Sequence, residues 1–209
     1  MQKNHYEVHL TVLLGRVSEL ARFQNVCTSY GVKPIIIDLY AHARKTQRDV
    51  MTSSQFYVTE EEVFGYAYCL YRALTTLGFA VCRVKIESDP FHPIAPRVFT
   101  DTMPANCYFE SHIPVQVFVG REAELSDIVS RTQARISRNP FKSGDGYAVS
   151  MVTLRDYVSP FCVFQGKLTE TLLLIKEHQF NLMIDKKLEV EFAVYDSNWQ
   201  HDHVWILGK

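Results

Sequence analysis

Tyr6-Glu7-Val8-His9-Leu10-Thr11-Val12 and Phe109-Glu110-Ser111-His112-Ile113-Pro114-Val115 decide how this chain is read. Each alternates inward and outward side chains with a period of two, the pattern of a strand with one face in a core. Each carries Glu-x-His, and the two histidines stand 103 positions apart. Thr52 lies over Thr153 at nearly the same offset, and Lys85-Ile86-Glu87 lies over Glu189-Val190-Glu191. Matched segments in matched order mark an internal duplication.

The elements around these strands follow one scheme twice. In the first half a strand over 6–14 leads to a helix over 17–30, whose stripe is Val17, Leu20, Phe23 and Cys27 and which stops at Gly31. Residues 32–40 hold Ile35-Ile36-Ile37, a run expected in a buried strand. Residues 41–47 read as a turn, and 49–57 as a strand. Thr59-Glu60-Glu61-Glu62 is a capping box opening a helix that ends at Gly78, and a strand over 79–87 follows. In the second half the expectation is a strand over 108–119, a helix over 122–136, and a short strand over 138–142. Then come a Ser143-Gly144-Asp145-Gly146 turn, a strand over 147–157, a helix over 166–178 and a closing strand within 182–195. The order βαββαβ, repeated, predicts an α+β fold of tandem duplicated ferredoxin-like units with antiparallel sheets. The expected division is 1–87 for repeat 1, 88–106 for a linker holding four of the eight prolines, and 107–209 for repeat 2 with a C-terminal tail.

Composition narrows the function classes. A net charge of −1 gives no overall pull toward nucleic acid or anionic membrane, and a 47% hydrophobic chain is rich enough for a packed core. No apolar run approaches the roughly 18 residues of a membrane span, and the N-terminus lacks the apolar stretch of a signal peptide. Five scattered cysteines without a CxxC pair read as reduced, small hydrophobes, Cys27 and Cys69 among them on apolar helix positions. A cytoplasmic location is the expectation.

Strand alternation sorts side chains by face. With Tyr6, Val8, Leu10 and Val12 under the helices, Glu7, His9 and Thr11 project from the other face. Glu110 and His112 do the same in the second half, beside closing strands that project Arg83, Lys85 and Glu87, or Glu189 and Glu191. A wet sheet face explains such charges without any function. If the two sheets face one another, the same groups converge in one cleft.

His9-Leu10-Thr11-Val12 resembles the His-x-Thr strand motif of the 2H phosphoesterases, bilobal enzymes with one motif per lobe. The resemblance implies His9 and His112 as general base and acid on a phosphodiester, with Thr11 holding phosphate; His112-Ile113-Pro114 has proline where the second hydroxyl belongs. Paired carboxylates on strands are also similar to the triphosphate tunnel enzymes, with Glu7-Val8-His9-Leu10-Thr11 standing where that family has Glu-x-Glu-x-Lys. The last third of the chain resembles a bacterial protein family of unknown function through Ser137-Arg138-Asn139, Val152-Thr153-Leu154-Arg155 and Val194-Tyr195-Asp196-Ser197-Asn198.

Two site chemistries stay open at this point. A phosphoesterase or phosphohydrolase would hold the phosphate of a small molecule or nucleotide with Arg83, Lys85, Thr153 and Arg155. A divalent-metal site would draw on Glu7, His9, Glu110, His112, Glu87 and Glu191. The alternative to both is a metal- or small-ligand-binding or protein-interaction module without catalysis. His201-Asp202-His203 in the tail and the basic run Arg131, Arg135, Arg138 and Lys142 are weaker candidates, the first read as tail packing and the second as a solvated face.

Overall fold

The computed structural model describes residues 2–16, 18–41, 44–144, 146–183 and 188–200, with backbone alone at 41, 44, 46 and 139–143. The first half runs β1 (Asn4–Leu13), α1 (Ser18–Ser29), β2 (Lys33–Ala41), β3 (Arg44–Val58), α2 (Glu60–Thr76) and β4 (Ala80–Ser88). The second runs β5 (Tyr108–Phe118), α3 (Glu122–Ser130), β6 (Arg135–Gly144), β7 (Tyr147–Asp156), α4 (Phe161–Glu177), the two-residue β8 (Asn181–Leu182) and β9 (Val190–Asp196). Strand order is β4-β1-β3-β2 in one half and β9-β5-β7-β6 in the other, the ferredoxin-like arrangement twice, with all pairs antiparallel.

The two sheets do not stay separate. In a lone unit of this type the second and fourth strands are edges with unpaired backbone groups. Here β4 pairs with β9 through Lys85↔Asp196 to Ser88↔Phe192, and β2 pairs with β6 through Asp38↔Arg138 to Tyr40↔Ile136. Each edge is satisfied by its counterpart in the other half, and eight strands close into one antiparallel barrel. The helices pack outside it over two cores. Val8, Leu10, Phe23, Leu70 and Leu74 anchor one, and Phe109, Ile113, Leu125, Phe164 and Ile175 the other. Val194 packs against both.

Local chemistry explains several element ends. Thr59 and Glu62 form the capping box of α2, the Thr59 hydroxyl accepting from the Glu62 amide and the Glu62 carboxylate from the Thr59 amide. Gly78 behind this helix takes φ 82°, a conformation that favours glycine. The sequence expectation of a helix to 136 is corrected: α3 ends at Ser130, Gln133 turns the chain at φ 64°, and Ile136 becomes a strand residue in the core. The expected start of α4 at 166 is corrected too. The helix begins at Phe161, whose amide donates to the Pro96 carbonyl while that of Cys162 donates to Arg97. The connector between β4 and β5 thus supplies acceptors for helix-end donors that would otherwise lack them. His92 of the same connector is buried, with Nε2 3.1 Å from the Tyr6 hydroxyl and its ring stacked on Phe192. β3 reaches back to Arg44, into the stretch expected as a turn. Cys69 is exposed rather than inward. Among the described residues no helix is long and apolar enough to cross a membrane.

Candidate functional site

Closing the barrel puts the polar strand faces inside it. Eight strands give an interior that side chains either fill or leave open for one small ligand. This one encloses a cavity of about 490 Å³. Its lining includes every residue named for the phosphate and metal chemistries: Glu7, His9 and Thr11 on β1, and Arg83, Lys85 and Glu87 on β4. Glu110 and His112 come from β5, Thr153 and Arg155 from β7, and Glu191 from β9. The duplication is visible in the register, where Glu7 stands opposite Glu87 and Glu110 opposite Glu191.

The chamber has two unlike walls. The contiguous strands β1, β4, β9 and β5 supply most of the charge, while Lys33, Asp49 and Arg155 come from the other half. The other contiguous half supplies Ile35, Ile37 and Leu39 from β2, Met51 from β3, and Val149 and Met151 from β7. The sequence reading missed this apolar wall, as well as Asp196 and Tyr108. Ile35-Ile36-Ile37 was its signal, because a strand apolar on both faces is buried on both.

Three of the cations in the lining, Arg83, Lys85 and Arg155, are paired with carboxylates. Arg83 donates to Asp196 from Nε (3.0 Å) and Nη2 (2.6 Å), and the Tyr108 hydroxyl donates to the same carboxylate at 2.8 Å. Arg155 donates to Glu110 Oε1 from Nε (3.0 Å) and Nη2 (2.6 Å). Lys85 Nζ lies 3.1 Å from Glu110 Oε2 and 2.7 Å from Glu87 Oε1, the latter without hydrogen-bond geometry. Glu110 therefore ties β7 of its own half to β4 of the other. Burial opposes its charge, but Arg155 and Lys85 prevail and hold its pKa well below the usual range. Burial likewise opposes Lys85, whose pKa Glu110 and Glu87 nevertheless raise. Glu87 resists burial through Lys85 and His9, which bring its pKa down to about 2.

The two histidines sit differently. His9 Nδ1 faces the Thr52 carbonyl at 3.1 Å, an oxygen that only accepts, so this nitrogen carries hydrogen. Its Nε2 faces Glu87 at 3.1 Å and Glu7 at 3.4 Å, so these three groups share a further proton. Glu7 also accepts from Ser53 (2.7 Å) and Gln55 (3.1 Å). His112 Nδ1 lies 2.9 Å from the Thr153 hydroxyl, and its Nε2 is 3.7 Å from Glu191 and 4.0 Å from Glu110. Burial lowers the His112 pKa, with Glu110 opposing. Glu191 goes the other way: burial first, then repulsion from Glu87, raise its pKa well above the usual carboxyl range. Among the described residues Glu191 makes no hydrogen bond, and His112 Nε2 lies 3.7 Å from it.

Among the described residues no three His, Cys, Asp or Glu side chains gather in an arrangement that could hold a metal ion. His201-Asp202-His203, Asp145 and the side chain of Lys142 lie outside the described residues.

No protein-family model and no curated protein matches the chain. Solved structures overlap it weakly. The regulatory subunit of aspartate kinase from Thermus thermophilus, in its ligand-free form, is 12% identical, with 82% of this chain and 92% of that one covered and a TM-score of 0.33. The acetolactate synthase small subunit from Thermotoga maritima is 12% identical over 90% of this chain and 92% of its own, with a TM-score of 0.30. A protein of unknown function from Galdieria sulphuraria is 12% identical over 93% and 100%, with a TM-score of 0.28. At these scores the likeness carries no functional argument, and the fold assignment rests on the strand order and pairing.

Proposed function

We propose that the barrel interior is a binding chamber for one small organic molecule, and that the chain binds this ligand without transforming it. The observation that carries this reading is the cavity of about 490 Å³ in the barrel, with most of its charge on one side and its apolar side chains on the other. Ligand pockets run to about 300–1,000 Å³, with mostly apolar linings and a few placed polar groups.

Phosphoester hydrolysis draws support from His9 and His112 lining one chamber. It is the weaker reading because its phosphate-holding cations, Arg83, Lys85 and Arg155, are already neutralised by Asp196, Glu87 and Glu110. A phosphate would have to displace buried carboxylates or sit beside them, and like charges in low dielectric repel strongly.

A metabolite library screened by thermal shift tests the binding reading, using wild type alongside Met151→Trp and Ile37→Phe, which fill the apolar wall. A ligand at a hundred times its Kd stabilises by about 2.7 kcal/mol. The expectation is one or more compounds that raise the Tm of wild type and leave the filled variants unmoved. A library without such a compound, or equal shifts in all three proteins, would overturn it.

A further inference from the structure

The chamber's chemistry selects among small molecules, and from it we infer that the ligand is a protonated amine, bearing N–H groups, on an apolar body. This rests on the binding-chamber reading above. Among the described residues six carboxylate residues line the cavity against four lysines and arginines and the one further proton shared by His9, Glu87 and Glu7. One of those cations, Arg83, is further neutralised by Asp196, which is not itself part of the lining. An anionic ligand therefore enters against the field of the site, and a cation enters with it.

Glu191 marks where the charge goes. Its side chain is one-fifth exposed, in a wall where Glu110, Glu87 and Lys85 are almost wholly buried. It makes no hydrogen bond among the described residues, and His112 Nε2 lies 3.7 Å from it. A carboxylate largely screened from water and lacking a hydrogen-bond donor is costly to ionise, and an N–H donor beside it offsets that cost. Glu7, 21% exposed at the side chain, offers a second acceptor on β1, beyond β4 from Glu191.

Which kind of cation follows from what the lining lacks. Quaternary ammonium groups are bound in cages of aromatic rings. Among the described residues no Phe, Tyr or Trp lines this cavity; acceptors do. The cation must therefore carry hydrogens to donate. The apolar body belongs against Ile35, Ile37, Met51 and Met151, where the methionines adapt to its shape.

Isothermal titration of the full chain with n-octylamine, its N-trimethyl counterpart, octanoate and inorganic phosphate tests the inference. The amine should bind at least about tenfold more tightly than each of the others, the discrimination expected of a charge-assisted hydrogen bond. Glu191→Gln or Glu7→Gln should weaken the amine by about the same factor, and Met151→Trp should abolish its binding. Binding of octanoate or the trimethyl compound as tight as that of the amine, lost in Met151→Trp, would leave the chamber standing and overturn the ligand class. So would amine binding that neither glutamate variant changes. If no probe binds while library compounds still discriminate wild type from the filled variants, the class alone fails. If neither probes nor library compounds bind, the chamber reading fails with it.

Discussion

Replacing Glu110 by glutamine removes one charge from the best-connected point of the barrel interior and leaves its shape almost unchanged. Glu110 is 1% exposed and accepts from Arg155 and Lys85, which approach from strands in different halves. The glutamine leaves both cations buried, with Arg155 lacking its carboxylate and Lys85 keeping only Glu87. Breaking a buried pair by removing one partner costs about 3–5 kcal/mol, most of it the desolvation of the charge left behind. The variant should lose about this much in urea denaturation, seen as a lower midpoint at an unchanged slope. Glu124→Gln is the internal control. Its Arg121 pair at 2.7 Å is as short as the interior ones, but both side chains are over one-third exposed, so the loss should be only a small part of that for Glu110→Gln. Adding Lys85→Met to Glu110→Gln should recover part of the deficit by removing an uncompensated cation. A Glu110→Gln protein within about 0.5 kcal/mol of wild type, the scale of an ordinary surface substitution, would refute the buried ion-pair account.

Two further outcomes follow from single side chains. Glu191 has a raised folded pKa, so its contribution is fully present below the unfolded value of about 4.3 and is lost as pH rises through the folded value. Glu191→Gln should therefore be more stable than wild type at neutral pH, and the difference should vanish toward pH ~4; a variant equally or less stable at neutral pH would contradict this. Thr59→Ala removes the hydroxyl that caps α2 and should cost about 1 kcal/mol; heat denaturation showing no loss would mean the capping box contributes nothing.

The duplication and the side-chain faces were legible because strand alternation reports them directly. Tyr6, Val8, Leu10 and Val12 are at most 3% exposed, and the Glu7, His9 and Thr11 face opposes them as the pattern demanded. Closure was not legible. Alternation says which face a residue occupies and nothing about the strand beside it, and the pairs Leu39↔Ser137 and Glu87↔Ala193 join residues about a hundred positions apart. Without closure, Arg83, Lys85 and Glu87 read equally well as a wet sheet face; with it they are at most 8% exposed. Closure buries His9 as well. At 8% exposure, between Glu87, Glu7 and the Thr52 carbonyl, it supports the interior charges and is not a neutral site for substitution. The early end of α3 was hidden by Ile136, whose apolar side chain fits a helical stripe and a strand equally well.

The central claim is that both Glu-x-His strands share one closed chamber, and the β2–β6 seam is where closure is most exposed to test. Leu39 and Ser137 are register partners across it. With the exposed Cys69 and Cys162 replaced by serine, Leu39→Cys combined with Ser137→Cys should oxidise rapidly in the folded protein, since antiparallel partners bring Cα atoms within disulfide reach. After cutting the connector between β4 and β5, the halves should then migrate as one species without reductant and as two with it. Folded protein that forms no such crosslink, and separates into two pieces without reductant, would contradict the closed barrel and the chamber inside it.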